Sequence, residues 1–154
     1  MMEIERKFLI SSDAWRTLAT GTLYRQGYIP STDGRTVRVR IVGQQGYLTI
    51  KGKTQGISRA EFEYPIPVDD ATQLLDTICE PPLIEKYRYR IRLDSVLWEV
   101  DEFLGENQGL VIAEVELETE TQAIALPSWV GQEVSGDLRY YNANLAKHPF
   151  QRWS

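Results

Sequence analysis

The sequence runs Glu3-Ile4-Glu5-Arg6-Lys7 near its amino terminus, and this short run indicates how the chain folds. Side chains of an extended strand point alternately to its two faces. Glu3, Glu5 and Lys7 therefore share one face of a predicted strand, and Ile4 lies on the other. The same alternation of charged and apolar residues recurs along the chain, so the run predicts a sheet with one charged face.

Eight segments are predicted to be β-strands, because charged and apolar residues alternate within them and turn residues separate many of them. They are residues 2–10, 22–30, 35–43, 46–53, 58–67, 83–93, 96–104 and 110–119. Short connections such as Thr32-Asp33-Gly34 favour antiparallel pairing. We expect a mainly β (α+β) fold built on an eight-stranded antiparallel barrel, a size that can hold a small ligand.

Three helices are predicted beside the strands, over residues 12–19, 69–79 and 137–147. The second follows Asp69, a residue type that caps helices, and places apolar residues at helical spacing. Pro81-Pro82 breaks the chain before the sixth strand. The length of 154 residues predicts a single domain over 1–154.

Two scarce residue types narrow the chemistry of the protein. The chain has one cysteine, Cys79, and one histidine, His148. An internal disulfide is therefore excluded, and zinc sites or catalytic triads built from cysteine and histidine are disfavoured. Any bound metal would have mainly oxygen ligands, which favours Mg²⁺ or Mn²⁺.

Charge and hydropathy restrict the partners. The net charge of −5 argues against a broad nucleic-acid surface, which usually makes a domain basic, although it allows a concentrated basic pocket. No apolar run approaches the ~20 residues of a membrane helix, and the amino terminus has no apolar signal segment. We expect a cytoplasmic protein that binds neither membrane nor nucleic acid.

The charged face of the predicted strands is sorted by sign. The acidic rows are Glu3/Glu5, Glu61/Glu63 and Glu114/Glu116/Glu118, and the basic rows are Arg38/Arg40 and Lys86/Arg88/Arg90/Arg92. Like charges two residues apart on a strand repel by about 0.6 kcal/mol in water, but by about 2.4 kcal/mol at an effective dielectric constant of 20. A solvated face is the simpler interpretation of any one strand, but such faces usually mix signs. Rows of like charge that are enclosed in a barrel need partners of the opposite charge. A metal-bound polyphosphate would supply an anion for the basic rows and a cation for the acidic rows.

These motifs resemble those of the triphosphate tunnel metalloenzymes, the CYTH superfamily, and the first run is similar to the ExExK signature of that family. The other motifs follow in order: Arg38-Val39-Arg40, Thr49-Ile50-Lys51, Arg59-Ala60-Glu61-Phe62-Glu63, Glu85-Lys86-Tyr87-Arg88-Tyr89, Glu99-Val100-Asp101 and Glu114-Val115-Glu116. The resemblance spans all eight predicted strands. The chain length and two segments, Arg25-Gln26-Gly27-Tyr28 and Arg139-Tyr140-Tyr141-Asn142, are similar to those of the short bacterial members. It implies an eight-stranded tunnel with a charged lumen.

The resemblance also implies an activity. Members of the family hydrolyse inorganic triphosphate, thiamine triphosphate, nucleoside triphosphates or RNA 5′-triphosphates, and one branch makes cyclic AMP. All of them act with Mg²⁺ or Mn²⁺. For this chain we expect hydrolysis of inorganic tripolyphosphate, because the predicted lumen is charged along its whole length and has no evident nucleobase pocket.

Site roles follow from the resemblance and from the residue types. Glu3, Glu5 and Glu116 are expected as metal ligands, followed by Glu114 and Glu118, because carboxylates suit a hard divalent ion. Glu61 and Glu63 either bind a second metal or orient basic residues. The residues expected to hold phosphate are Lys7, Arg38, Arg40, Lys51, Arg59, Lys86 and Arg88. The simpler interpretation of the carboxylates is ion pairing with these basic rows.

Lys86 is expected to do more than bind phosphate. Neighbouring Arg88 and partial desolvation would lower its pKa, and a neutral lysine can act as a general base toward water. The resemblance implies that the Tyr28 hydroxyl orients it. Phosphoryl transfer depends mainly on positioning and electrostatics, so a purely phosphate-binding role for Lys86 stays open.

Three alternatives are left open by the sequence. One is an adenylate cyclase of the same fold, another is a thiamine or nucleoside triphosphatase, and the third is a non-catalytic module that binds polyphosphate. The last would not need an acidic cluster opposite the basic one. The partner is expected to be a small-molecule triphosphate, and a homodimer is one assembly state that the sequence allows.

Overall fold

The computed structural model describes residues 1–153, which contain nine strands. Eight of them form a barrel, and the ninth pairs with the first strand beside it. The strands are β1 (Met2–Ile10), β2 (Thr22–Ile29), β3 (Thr36–Val42), β4 (Gln45–Lys51), β5 (Ser58–Ile66), β6 (Ile84–Leu93), β7 (Val96–Phe103), β8 (Val111–Glu116) and β9 (Val130–Glu133). Eight antiparallel strands pair in the order β5-β4-β3-β2-β6-β7-β8-β1, and β1 pairs back with β5. The predicted eight-stranded antiparallel barrel is therefore confirmed.

The ninth strand is an addition that the sequence pattern did not predict. One edge of β1 is divided: its residues 2–4 pair with β5, and Phe8 and Ile10 pair with β9. The backbone N–H of Val134 donates to the carbonyl of Lys7 at 2.8 Å and continues this contact. A four-residue strand is too short to show a reliable alternation, which explains why the pattern missed it.

Two of the predicted helices are shorter or broken in the structure. Residues 12–19 form only a single 3₁₀ turn, Ala14–Thr17. The carboxyl-terminal prediction over 137–147 divides into a 3₁₀ turn, Leu138–Tyr140, and helix α2, Asn142–Lys147. The middle prediction is nearly right, because helix α1 spans Val68–Thr77. Short segments make few helical hydrogen bonds for the backbone order they require, so packing decides their conformation.

Apolar side chains pack in three clusters on the outer face of the barrel. The first gathers Trp15, Trp98 and Trp129 over β1, β7 and β8. The second covers β6, β7 and β8 with the carboxyl-terminal segment, in which Leu145 is fully buried. The third places α1 against β3 through Ala71, Leu75 and Val39. Because the apolar core lies outside the barrel, the lumen is left to charged side chains.

No helix within residues 1–153 combines the length and the apolar character needed to cross a membrane.

Candidate active site

The barrel encloses a cavity of about 520 Å³ that is lined mainly by charged and polar side chains. With the exception of Glu118, each residue that the sequence predicts for the site lines this cavity: Glu3, Glu5, Lys7, Tyr28, Arg38, Arg40, Lys51, Arg59, Glu61, Glu63, Lys86, Arg88, Glu114 and Glu116. The alternation of side chains along the strands brings them together, since all of them point to the inner face. Two residues of the predicted rows do not line the cavity. Arg92, the last residue of the basic row, and Glu118, the last of the acidic row, lie outside it and are exposed.

Arg38 lies on β3 and is 8% exposed. Its Nη2 donates to Thr49 Oγ1 at 3.1 Å and to Glu63 Oε1 at 3.3 Å. Its Nε is buried and has no hydrogen-bond partner among residues 1–153. A buried guanidinium with an unsatisfied N–H is a binding group for an anion, since leaving such a donor unpaired is costly.

Arg40 and Arg88 converge on the ring of Tyr24. Their Cζ atoms lie 4.9 Å and 5.0 Å from the ring centroid. Burial, together with the charges of Arg38 and Arg88, lowers the pKa of Arg40 to about 9. Three arginines in one buried wall therefore repel one another, and this repulsion is relieved when a polyanion binds between them.

The acidic wall is built across the β1–β8 pair. Glu5 and Glu116 are directly opposite in register and point into the same lumen. Like charges at opposed positions are destabilising. Burial and the charge of Glu114 raise the pKa of Glu5 to about 7. Burial and the nearby Glu3 also raise the pKa of Glu116. These carboxylates are arranged to gain a proton or a cation.

Glu114 is already neutralised by basic residues. Lys7 Nζ lies 2.9 Å from Glu114 Oε1 and 3.2 Å from Glu5 Oε1. Arg88 Nη2 lies 3.9 Å from Glu114 Oε2. Burial acts to raise the pKa of Glu114, but the charges of Lys7 and Arg88 outweigh it and hold that pKa well below its usual range.

At the β4–β5 side of the cavity, Lys51 Nζ lies 3.0 Å from Glu3 Oε1. Burial raises the pKa of Glu3 in spite of this ion pair. Arg59 is directly opposite Glu3 in the β1–β5 pair, and its guanidinium donates to the Gly52 carbonyl and the Thr36 hydroxyl at 3.1 Å and 3.2 Å. Arg59 therefore joins the strands at the point where the barrel closes.

The carboxylates suit a divalent cation by their chemistry, although they are not gathered into a compact ligand cluster. Within residues 1–153, no group of three or more acidic, histidine or cysteine side chains is arranged to hold a metal ion. The opposed pair Glu5 and Glu116, with Glu3 nearby, offers only oxygen donors and carries raised pKa values. Hard divalent ions prefer such donors, so the residues present fit the metal.

Lys86 is the most enclosed basic group of the site, at 1% exposure. Its Nζ donates to Asp101 Oδ2 at 2.7 Å and to Asn142 Oδ1 at 2.9 Å. Arg88 binds the same Asp101 carboxylate through two N–H groups, at 2.7 Å and 2.8 Å. Two cations thus share one anion. Burial lowers the pKa of Lys86 to about 7, and the charges of Arg88 and Arg40 add to this effect against the attraction of Asp101.

The Tyr28 hydroxyl accepts a hydrogen bond from Gln26 Nε2 at 3.0 Å. The hydrogen-bond partners of Lys86 within residues 1–153 are Asp101 and Asn142, so the structure links Tyr28 to Lys86 only through intervening amides. The direct contact that the resemblance implied is thus not formed in this conformation.

Several cavity residues were missed by the sequence analysis. Tyr24 shares the inward face of β2 with Tyr28, so the alternation could have identified it. Asn142, Tyr141 and Ser135 enter from the carboxyl-terminal third of the chain. That region lies outside the eight predicted strands and has no alternation that would have placed these side chains in the lumen.

Comparisons with known proteins agree with this geometry. The CYTH domain family matches residues 1–150. An inorganic triphosphatase of Acetivibrio thermocellus is 54% identical over 151 residues, covering 98% of this chain and 97% of the relative. An inorganic triphosphatase of Nitrosomonas europaea is 39% identical over 154 residues, covering 95% of this chain and 97% of that protein.

A solved structure of a similar protein has the same fold. The crystal structure of an inorganic triphosphatase superposes with a TM-score of 0.67 at 35% identity, covering 93% of this chain and 96% of that one. The match of the family over nearly the whole sequence and the shared barrel lead to one conclusion: this chain belongs to the CYTH domain family.

Proposed function

We propose that this protein is an inorganic triphosphatase, which hydrolyses tripolyphosphate to diphosphate and phosphate. The observation that carries the proposal is the lumen, a cavity in which buried arginines and lysines face a wall of carboxylates. Two relatives of similar length that bear the name inorganic triphosphatase support it. We also propose that residues 1–154 act as one domain. The cytoplasmic location stays a prediction from the sequence.

The arginines that cover the Tyr24 ring favour an inorganic substrate over a nucleotide. A nucleobase binds by stacking on an exposed aromatic face. The ring of Tyr24 already has the guanidinium groups of Arg40 and Arg88 over it. This arrangement offers charge to phosphate oxygens and leaves little of the Tyr24 ring for a base.

Glu3, Glu5 and Glu116 are the residues that would hold the divalent metal, and we propose Mg²⁺ or Mn²⁺. The metal, when bound, neutralises charge on the phosphate oxygens of the substrate. Glu114, Glu61 and Glu63 are further carboxylates of the lumen. The ion pairs of Glu114 with Lys7 and of Glu63 with Arg38 support an orienting role for these two.

The basic residues bind and orient the triphosphate. Arg38 and Arg40 offer forked N–H groups to phosphate oxygens, a geometry that guanidinium provides and ammonium does not. Lys7, Lys51 and Arg88 add positive charge around them. Arg59 also lines the cavity, where it donates to the Gly52 carbonyl and the Thr36 hydroxyl, and we assign it to phosphate binding with the other basic residues.

Lys86 acts as the general base in the hydrolysis. Its neutral amine accepts one proton from a water molecule while the water oxygen bonds to the terminal phosphorus atom. The bond from that phosphorus to the bridging oxygen breaks, and diphosphate leaves with the electron pair. The Lys86 ammonium then releases its proton, so that one triphosphate and one water give one diphosphate and one phosphate.

Phosphate release from a panel of triphosphates tests the proposal. Tripolyphosphate should have a higher specificity constant than ATP or thiamine triphosphate, with Mg²⁺ or Mn²⁺ present, and a chelator should abolish turnover. Faster hydrolysis of ATP or thiamine triphosphate would contradict the substrate assignment, and cyclic AMP as the main product would favour the lyase alternative.

Variants of the acidic wall test the metal site. Glu5→Gln and Glu116→Gln should each raise the metal concentration needed for half-maximal activity, because each removes an anionic ligand. Glu118→Gln is the matched control, since Glu118 is exposed and lies outside the cavity. Full activity in excess chelator would rule out metal dependence.

A further inference from the structure

A chain of hydrogen bonds connects the basic wall to Lys86 through two side-chain amides. Arg40 Nε donates to Gln26 Oε1 at 2.8 Å. Gln26 Nε2 lies 3.0 Å from the Tyr28 hydroxyl and 3.4 Å from Asn142 Oδ1. Lys86 Nζ donates to the same Asn142 oxygen at 2.9 Å. Gln26 is fully buried, so this chain is shielded from water.

The direction of every bond in this chain is fixed by its first member. A guanidinium has only donors, so Arg40 forces the oxygen of the Gln26 amide toward itself. The Gln26 nitrogen must then face Asn142, and only the Asn142 oxygen can accept from it. That oxygen is therefore held in the one orientation that also accepts from Lys86.

The geometry leaves one tetrahedral direction of the Lys86 nitrogen free. A neutral amine has two N–H bonds and one lone pair. Asp101 and Asn142 accept the two N–H bonds, at 2.7 Å and 2.9 Å. The lone pair must then point away from both acceptors, and Lys86 is one of the residues that line the cavity.

We propose that Asn142 and Gln26 are positioning residues, which with Asp101 aim the proton-accepting lone pair of Lys86 into the lumen. The inference rests on the proposed function, because it assigns these residues to the base of that reaction. Asn142 belongs to helix α2, so the carboxyl-terminal segment supplies part of the catalytic arrangement without being in any of the barrel strands.

The charges around Lys86 determine how its protonation responds to a variant. The groups that face it are Asp101 on β7, Arg88 on β6, Arg40 on β3 and Glu114 on β8, together with Tyr24, its partner in register on β2, and the amide of Asn142 on α2. Asn142 is thus a neutral member of a charged shell. An Asn142→Asp substitution places a new anion at the position of the oxygen 2.9 Å from Lys86 Nζ.

Steady-state kinetics with tripolyphosphate give the first test. Asn142→Ala should lower kcat at least tenfold and change KM less than threefold, because the lone pair loses its direction while the phosphate-binding arginines stay. Asn142→Asp should move the acidic limb of the kcat/KM profile to higher pH by one unit or more, since an adjacent anion stabilises the lysine ammonium. Asn144→Asp is the matched control: it adds the same charge to the same helix, where Asn144 contacts the Leu138 carbonyl instead.

Gln26→Glu tests the chain at its midpoint. Glutamate still accepts from Arg40 but has no N–H for Asn142 or Tyr28. If the chain acts as one unit, Gln26→Glu should lower kcat, and the Gln26→Glu/Asn142→Ala double variant should be no slower than the slower single variant. Independent contributions that multiply in the double variant would overturn the inference.

A titration that needs no turnover separates this inference from the proposed function. Lysine ¹³Cε chemical shifts report the Lys86 pKa in the metal-free protein, and Asn142→Asp should raise that pKa while Asn144→Asp leaves it unchanged. An unchanged Lys86 pKa in Asn142→Asp would overturn the inference. Absence of wild-type tripolyphosphate hydrolysis, with the Lys86 pKa shifted as expected, would overturn the proposed function and leave the geometry of the amides in place.

Discussion

At the scale of single residues, Lys86 combines burial, a shared counter-ion and access to the lumen at one nitrogen atom. Burial lowers its pKa to about 7, so the neutral fraction rises as pH increases through that value. The kcat/KM profile reports groups of the free enzyme. We expect this profile to rise with pH and to level off above an apparent pKa near 7.

Replacing Lys86 by arginine separates binding from base catalysis. Lys86→Arg keeps the positive charge, but a guanidinium does not deprotonate in proteins. Turnover should fall by ~10²-fold or more, which is the scale of a lost acid–base contribution, while KM changes little. Arg92→Lys is the control on the same strand, because Arg92 is exposed and outside the cavity. Near-normal turnover of Lys86→Arg with an unchanged pH profile would leave Lys86 as a phosphate ligand only.

The sequence predicts residue positions well wherever alternation along a strand decides them. Glu5 and Glu116 were expected in one lumen, and the register places them opposite each other. The contact of Asn142 with Lys86 could not be predicted, because it depends on how α2 packs against the barrel. The link from Tyr28 through Gln26 depends on side-chain rotamers, which residue spacing does not determine.

At the scale of elements, helix α2 places Asn142 in the lumen through its buried apolar side. Leu145 is fully buried in the cluster that α2 forms with β6, β7 and β8. Because Asn142 precedes Leu145 by less than one helical turn, the packing of Leu145 fixes the position of the Asn142 amide. Stability and turnover are therefore coupled through this short helix.

Leu145→Ala should show this coupling. Removing a buried leucine side chain costs roughly 2–5 kcal/mol, which corresponds to a fall in Tm on the order of 10 °C for a chain of this size. The turnover of the folded variant should fall as well, because α2 no longer holds Asn142 firmly. Leu138→Ala is a matched control in the same segment, since Leu138 is 63% exposed. Equal effects of both substitutions on Tm would contradict the packing argument.

Long elements were predicted more accurately than short ones. The eight barrel strands were found from alternation over six residues or more, whereas β9 and the 3₁₀ turn at Ala14–Thr17 were missed or misassigned. Strand β8 ends at Glu116, three residues before the predicted end, and this removes Glu118 from the acidic row. The Glu118 backbone N–H donates to the side chain of Gln122 instead of a neighbouring strand.

At the scale of the whole molecule, a net charge of −5 surrounds a lumen that contains a buried basic wall. Arg38, Arg40 and Arg88 are each less than a tenth exposed, and an anion between them relieves their mutual repulsion. Binding of a polyanion should therefore stabilise the fold even when no metal is present.

Thermal unfolding in excess chelator measures this stabilisation. Tripolyphosphate at 100 times its Kd should add about 2.7 kcal/mol to the free energy of unfolding and raise Tm by roughly 5–10 °C. Sodium chloride at the same ionic strength should not reproduce the shift. The shift should be smaller in Arg38→Ala and unchanged in Arg92→Ala. A Tm that tripolyphosphate leaves unchanged would show that the basic wall does not bind the polyanion by itself.

The divided edge of β1 has a consequence for how the protein is made on the ribosome. Strand β1 carries Glu3, Glu5 and Lys7, and its partners are β5, β8 and β9. Translation produces β1 before all three, and β8 and β9 are among the last strands to emerge. The β2–β3–β4–β5 hairpins can form early, because their contacts are local in sequence. Strand β1 can pair only after its distant partners have been synthesised. A nascent chain that stops before residue 111 has no Glu116 to oppose Glu5, so the lumen can be assembled only after β8 has been translated.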